Sequence, residues 1–376
     1  LKEQLHILFI SSWYPTAAQP FLGNFVKRHA ELIASRHHVT VLNLQSDPSV
    51  SGITCTETSN GNLRELLVQY PAHGNPLVKL LRARKAFKLG AGKVGKVDLI
   101  HGNVILSKGI QFVWAKNYFR KPLIVSEHAS YYRSEASASW SLKDRITIRK
   151  VMKATDCLTA VSPFLKSEIQ QLFPAKAIAI LPNVIDSRTF FHTPKPANAV
   201  TRFVHISTLD ERVKNISGII SACQSLKAEV GSIFSLQVIS DESPARAQEL
   251  VHAAGLEDCV YFSGPMQPAE IAEQLQSADA LVMFSDYETF SIVIAEAWAT
   301  GTPVISTPVG IAQPLGSRSG IEVKIRDTAS LYEAMKQIIK RQIVFDPAYL
   351  IAQATQYAPE KVLETIESLY SRITIP

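Results

Sequence analysis

The chain alternates short runs of aliphatic and β-branched residues with longer stretches of helical amphipathic pattern. "LHILFI" (5–10) precedes "NFVKRHAELIASR" (24–36), which precedes "VTVLNL" (39–44). Further strand candidates are "DLIH" (98–101), "PLIVS" (122–126), "CLTAV" (157–161) and "AIAIL" (177–181). The alternation restarts after "PNVID" with "FVHIS" (203–207), "SLQVIS" (235–240), "CVYFS" (259–263), "ALVMF" (280–284) and "PVIS" (303–306). Helical patterns such as "NISGIISACQSL" and "PAEIAEQLQ" separate them. Short Val/Ile-rich strands alternating with helices predict parallel sheets of βαβ units, each covered on both faces. Two such series predict an α/β chain of two doubly wound, Rossmann-like domains. The join falls near Pro182–Asp186, where Pro, Asn and Asp break the pattern. Open parallel sheets bind ligands at the carboxyl ends of their strands, so two facing domains would make a cleft.

Length agrees, since 376 residues exceed one ordinary core. A content of 46% hydrophobic and 19% charged residues is that of a globular protein. Cys55, Cys157, Cys223 and Cys259 lie far apart with no CxxC, which argues against structural zinc and a disulfide framework and for a reducing compartment. "LHILFI" is too short for a signal-peptide core, and no run approaches the ~20 apolar residues of a membrane helix. The net charge of +6 hides an asymmetry: residues 1–160 carry 22 − 10 = +12, and residues 161–376 carry 17 − 23 = −6.

"GAGKVG" (90–95) matches GxGxxG but follows the basic helical run "KLLRARKAFKL" and precedes the strand "VDLIH". A phosphate cradle needs a strand, then glycines, then a helix N-terminus. The expectation here is a helix C-cap and loop.

"ALVMFSDYETFSIVIAEAWATG" does have that order: a strand ending near Phe284, a loop, and a helix starting near Phe290–Ser291. The loop holds Glu288, and Glu296 follows after seven intervening residues, about one and a half turns into the helix. Free N–H groups and the positive dipole end suit a diphosphate. Carboxylates beside it suit vicinal hydroxyls, so the ligand implied is a polyhydroxylated phosphate ester, such as a sugar nucleotide.

These residues resemble the retaining glycosyltransferases of GT-B fold, in the large group-one or family-four class, whose E-x7-E motif matches Glu288 and Glu296. "ETFSIVIAEAWATGTPVISTPVG", "PFLGNFVKRHAELIASRHHVTVL", "SEHASYY", "VSPFLKSEI", "ILPNVID" and "FVHISTLDERVKNISGII" extend the likeness along nearly the whole chain. The resemblance implies an N-terminal acceptor domain (1–183) completed by a C-terminal crossover helix (about 357–376), and a donor domain (184–356). It implies that Glu296 binds the nucleotide ribose and Glu288 the transferred sugar. The Phe290, Ser291 and Ile292 amides would hold the diphosphate. Lys214 would neutralise the leaving phosphate, as a preorganised cation there must. His128 would lie over the sugar, with Glu127 beside it and His101 a weaker candidate. Gly23 and Asn24 would form a loop for acceptor or donor phosphate, and Asn183 would serve the donor. Backbone near Gly264–Met266 would read the base.

The family's "GRL" arginine is missing: Ser207-Thr208-Leu209 stands there, and Arg212 is the alternative second cation. A family glycine is replaced by Ser291, whose hydroxyl would cap the helix or bond phosphate. No D-x-D occurs, so Lys, Arg and a helix dipole are expected in place of a metal ion, with no cofactor beyond a UDP- or GDP-linked sugar as substrate.

The implied reaction is metal-independent hexose transfer to an acceptor hydroxyl in cell-surface glycan, lipopolysaccharide or exopolysaccharide synthesis. Alternatives are a non-catalytic sugar-nucleotide binder and a GT-B enzyme acting on a phosphorylated sugar. The basic run Lys79–Lys96, interleaved with Leu80, Leu81 and Phe87, suggests peripheral contact with anionic lipid on a cytoplasmic membrane face and a glycan or lipid-linked acceptor. Nucleic acid is not expected, because no reader motif is present and the second half is acidic.

Overall fold

The computed structural model describes residues 4–16, 19, 22–106, 108–194 and 199–374, without the side chain of Ser134. They divide into two compact units. The first comprises Leu1–Val161, Leu165–Val184 and Val362–Pro376; the second comprises Ser162–Phe164 and Ile185–Lys361.

Unit 1 begins with β1 (His6–Ser11), α1 (Asn24–Ala34), β2 (His38–Asp47), β3 (Thr54–Asn60) and β4 (Leu63–Pro71). Then come α2 (Pro76–Val94), β5 (Leu99–Asn103), α3 (Ile110–Phe119), β6 (Leu123–Glu127), α4 (Ser134–Ala138) and α5 (Leu142–Ala154). The series closes with β7 (Cys157–Ala160), α6 (Pro163–Leu172) and β8 (Ile178–Ile180). The sheet runs β3-β4-β2-β1-β5-β6-β7-β8 and is parallel except for the β3/β4 hairpin. Interior strands such as β5 and β6 are buried along their whole length, as helices on both faces require.

The β3/β4 hairpin is absent from the sequence expectation. Its register pairs Asn60 with Leu63 across a Gly61–Asn62 turn in which Gly61 has φ +57°. β3 is almost wholly exposed and, apart from Cys55, made of Thr, Glu, Ser and Asn, so it carries no alternating hydrophobic signal.

Helix α2 is capped by the Asn75 side chain, which accepts from the Val78 amide, with Pro76 at the first turn. It runs on through Gly90 and Gly92, so the helix does not stop at the first glycine, as the sequence suggested, but at Gly95 (φ +86°). Gly90 is required by packing: a Cβ there would lie 2.5 Å from Leu42 Cδ1 and 3.1 Å from Val68 Cγ2. Phe87 also differs from expectation. It is buried against Trp114 and Tyr118 rather than lying on the exposed basic face.

Unit 2 begins with β9 (Thr201–Ile206), α7 (Glu211–Lys214), α8 (Ile216–Val230), β10 (Phe234–Ile239) and α9 (Ala245–Ala253). Next are β11 (Val260–Ser263), α10 (Pro268–Ser277), β12 (Ala280–Met283) and α11 (Ile292–Ala299). β13 (Val304–Ser306), β14 (Gly320–Glu322), α12 (Thr328–Ile339) and α13 (Pro347–Ala354) follow. The sheet order is β11-β10-β9-β12-β13-β14, all parallel. Its core packs Phe203, Phe234 and Phe284 with Ile219, Leu226 and Leu331.

The last helix, α14 (Pro359–Thr374), gives its apolar stripe to unit 1. Val362, Ile366, Leu369 and Tyr370 share one core with Ile7 and Phe9 of β1 and Ile33 of α1.

Candidate functional site

In unit 2, two loops at strand carboxyl ends converge. The loop after β9 passes through Asp210, whose side chain caps α7, and delivers Lys214 at the last turn of that helix. The loop after β12 delivers Ser285, Asp286 and Glu288. A backbone hydrogen bond from the Asp286 amide to the Val213 carbonyl (2.7 Å) ties the loops together. Lys214 Nζ then donates to Glu288 Oε1 at 2.5 Å, and Ser285 Oγ donates to the same oxygen at 2.9 Å. The two side chains are 16% and 13% exposed, so the pair is shielded but reachable.

Helix α11 starts immediately beyond Glu288. Its N-cap, Ser291, has φ +66° and ψ +77°, and no side chain caps the first turn. The Ser291 hydroxyl is buried with no hydrogen-bond partner among the described residues. The amides opening the helix have no acceptor within it, so they point a positive dipole end out of the loop. The loop is braced from behind. Gly310 (φ +58°) lies so close that a Cβ would sit 2.5 Å from the Phe290 carbonyl oxygen, and the Ile311 amide donates to that oxygen at 3.0 Å. Phe290 is buried against Tyr357, with ring centroids 5.2 Å apart. Glu296 is buried on α11.

Beneath the pair lies His205 of β9. Its Nδ1–H donates to the Val282 carbonyl (2.8 Å), and its Nε2 meets the Ser207 hydroxyl (2.7 Å), which also contacts the Thr208 carbonyl (2.6 Å). Burial lowers its pKa to about 4, so the ring is neutral and fixes the root of the Lys214 loop.

In unit 1, polar groups gather at the carboxyl ends of β5 and β6. Glu127 Oε1 accepts from the Ile105 amide (2.8 Å), Tyr131 OH (2.8 Å) and Tyr132 OH (2.9 Å). Burial outweighs these donors and raises its pKa to about 7. His128 is buried against Phe25, with its Nε2 3.3 Å from Asn103 Oδ1. Burial, then His29 and His101, hold it well below the ordinary histidine range. Gly23 (φ +74°) is the N-cap of α1, and a Cβ there would meet the Trp13 carbonyl group at 2.6 Å.

Comparison with known proteins identifies the family and the fold. Residues 22–189 match the family described as Glycosyltransferase Family 4, and residues 200–341 match Glycosyl transferases group 1. The chain belongs to this glycosyltransferase class. The MMP α-(1→4)-mannosyltransferase of Mycolicibacterium hassiacum is 28% identical over 66% of this chain. The N-acetyl-α-D-glucosaminyl L-malate synthase of Bacillus anthracis is 27% identical over 59% of it. The matches span 62% and 61% of those relatives' own lengths. Among solved structures, the sucrose-phosphate synthase of Thermosynechococcus elongatus superposes with TM-score 0.72 at 21% identity, covering 98% of this chain and 97% of that one. Anabaena HepE, in complex with UDP and glucose, superposes with TM-score 0.73 at 16% identity over 98% and 99%. The fold is the GT-B glycosyltransferase fold, with two Rossmann-like parallel-sheet units.

The structure brings Lys214, Glu288, Phe290, Ser291 and Ile292 together at the opening of α11, with Glu296 farther along it. It does not bring Arg212 to them. That guanidinium pairs with Asp210 (3.1 Å) and is 88% exposed, because α7 turns it to the opposite side from Lys214. Thr208 is exposed. Asn183 belongs to unit 1, where it lies beside His128 and not on the unit that carries Glu288. Asn24 opens α1 and is exposed. His101 is a core residue: its Nδ1 meets Tyr370 OH and its Nε2 meets Ser126 Oγ, both at 2.8 Å. His205 escaped the sequence reading because an apolar strand containing one histidine gives no sign of what lies above it.

Proposed function

We propose that this protein is a retaining glycosyltransferase that moves a hexose from a nucleoside diphosphate sugar to an acceptor hydroxyl in the synthesis of a cell-surface glycan. The observation that carries the reading is the Lys214–Glu288 pair set against the uncapped N-terminus of α11. In the resting protein each charge answers the other. A sugar nucleotide offers both a better match: its diphosphate takes the Lys214 ammonium and the helix amides, and its sugar hydroxyls donate to the Glu288 carboxylate. Departure of the nucleoside diphosphate leaves negative charge beside Lys214, which stabilises it without reorganisation. Glu296 would take the ribose hydroxyls. Retention follows from front-side attack, with the leaving phosphate drawing the acceptor proton, since no side chain stands as an evident nucleophile. The cation in this scheme is supplied by Lys214. Among the described residues, no three His, Cys, Asp or Glu side chains group as a metal site.

The acceptor is proposed to lie on unit 1, where His128 and the Gly23 loop stand at strand carboxyl ends. That unit also offers a membrane-facing helix. On α2, Leu77 and Leu81 are 65% and 54% exposed beside exposed Arg84, Lys85 and Lys88. This combination favours an anionic bilayer and peripheral attachment on its cytoplasmic face, with a lipid-linked acceptor. No helix among the described residues is long and apolar enough to cross a membrane.

The test is nucleoside diphosphate release from a panel of UDP-, GDP- and ADP-sugars with EDTA present. Release from one donor, lost in Glu288→Ala and Lys214→Ala, supports the transferase. Thermal stabilisation by a donor without release, with or without lipid-linked acceptors, would favour a non-catalytic binder. The engagement of Arg212 with Asp210, which turns that guanidinium away from Lys214, is the observation on that side.

A further inference from the structure

Unit 1 carries a second polar recess, distinct from the His128 cluster. β-Strand register builds its floor. Thr58 of β3 pairs with Glu65 of β4, which pairs with Val41 of β2. Beside that row, Thr56 pairs with Leu67, which pairs with Asn43. These positions alternate with Leu42 and Val68, which meet Gly90 of α2, so both rows lie on the face of the sheet turned away from that helix. The segment after β1 folds over them, and Tyr14 OH donates to Glu65 Oε1. Between roof and floor is a cavity of about 180 Å³. At about 30 Å³ per water, that is room for roughly six waters or one ring-sized polyol.

Three features of the wall define what fits. Asn43 lines the cavity and is 6% exposed, and its buried Oδ1 has no hydrogen-bond partner among the described residues. Glu65 presents a carboxylate already oriented by the Tyr14 phenol and, at 3.4 Å, by the Thr58 hydroxyl. Val41, Leu67 and Pro15 add an apolar patch. Acceptors and hydroxyls around an apolar patch match a sugar ring, which has C–H faces and a rim of hydroxyls. Among the described residues, Glu65 is the one charged side chain lining the cavity, so a phosphate would be repelled.

We propose that this recess is a subsite for one uncharged sugar ring, recognised by Glu65, Asn43, Thr58 and Tyr14. The subsite adds to the transferase reading and does not depend on it.

Saturation-transfer NMR with the methyl α-glycosides of glucose, mannose and galactose tests the proposal. The expected result is a saturable signal from at least one glycoside. Affinity should fall at least tenfold in Glu65→Gln and in Thr58→Arg, and stay unchanged in Glu288→Ala. Thr58→Arg is the decisive variant: the position is exposed on an edge strand, so the fold survives while the arginine fills the recess, and a melting curve checks this. No saturable glycoside, or undiminished binding to Thr58→Arg, overturns the subsite. Transfer of a hexose onto the bound glycoside, read by mass, separates an acceptor ring from a free sugar. Because donor release is measured separately, binding with no release would sink only the transferase reading, and release with no binding only the subsite.

Discussion

Lys214 Nζ and Glu288 Oε1 lie 2.5 Å apart although 74 positions separate the two residues in the chain. The contact is made by two loops that end neighbouring strands, β9 and β12, and are tied by one backbone hydrogen bond. Each residue is therefore positioned before any ligand arrives. Lys214→Met is expected to reduce nucleoside diphosphate release by ~10²-fold or more, the scale for losing one preorganised charge stabiliser. Glu288→Gln should weaken sugar recognition, while UDP or GDP alone binds with little change. Steady-state kinetics beside calorimetry with the bare nucleotide separates the two effects.

Ser291 sets stability against binding. It occupies a left-handed conformation that costs a side-chain-bearing residue ~1 kcal/mol, and its buried hydroxyl lacks a partner among the described residues. Ser291→Gly is expected to raise the melting temperature of the ligand-free protein and to lower donor affinity. Gly310→Ala should do harm on both counts, since its Cβ would press on the Phe290 carbonyl that braces the same turn. Melting curves with and without nucleoside diphosphate check both.

The buried ionisable groups pull in opposite directions with pH. His29 and His205 have folded pKa values of about 4 against an ordinary 6.5. The unfolded chain takes up their protons first, so the stability they allow is lost as pH falls from 6.5 towards 4. For each the loss is at most ~3 kcal/mol. Glu127 rises from 4.5 to about 7, so its contribution is present below pH 4.5 and lost as pH climbs through 7. Urea titrations should show stability rising with pH between 4 and 6, with a shallower decline approaching 7. Glu127→Gln should abolish that decline and steepen the rise between pH 4.5 and 6, which the glutamate otherwise offsets.

The exposed leucines of α2 make the membrane reading testable. Flotation with anionic vesicles should retain the protein, and Leu77→Glu with Leu81→Glu should release it while donor-only hydrolysis is unchanged. Retention by neutral vesicles alone, or indifference to both substitutions, would remove bilayer contact from the account.

Much of this architecture was legible because buried parallel strands are short unbroken apolar runs, and "LHILFI", "PLIVS" and "ALVMF" each fall on an observed strand. Glu288, Ser291 and the start of α11 were legible because strand, loop and helix follow one another within a dozen residues. Relations across the chain were not. That Arg212 prefers Asp210 depends on the facing of one short helix, which no spacing encodes. The β3/β4 hairpin lacked apolar alternation on its outer strand, although Gly61–Asn62 marked its turn. The recess beside Asn43 follows from register across three strands, and register is invisible until those strands are paired.

Helix α14 has a consequence in time as well as in space. The ribosome makes β1 well before α14, so Ile7 and Phe9 find their neighbours Ile366 and Tyr370 only when the polypeptide is more than three hundred and fifty residues longer. Tyr370 also supplies the hydroxyl that partners His101 in the middle of the same sheet. Unit 2 needs nothing beyond residue 361 and can settle while unit 1 still lacks one wall. Domains usually mature in the order of their synthesis. Here unit 1, whose strands are made earlier, keeps the face that α14 covers open until that helix is made.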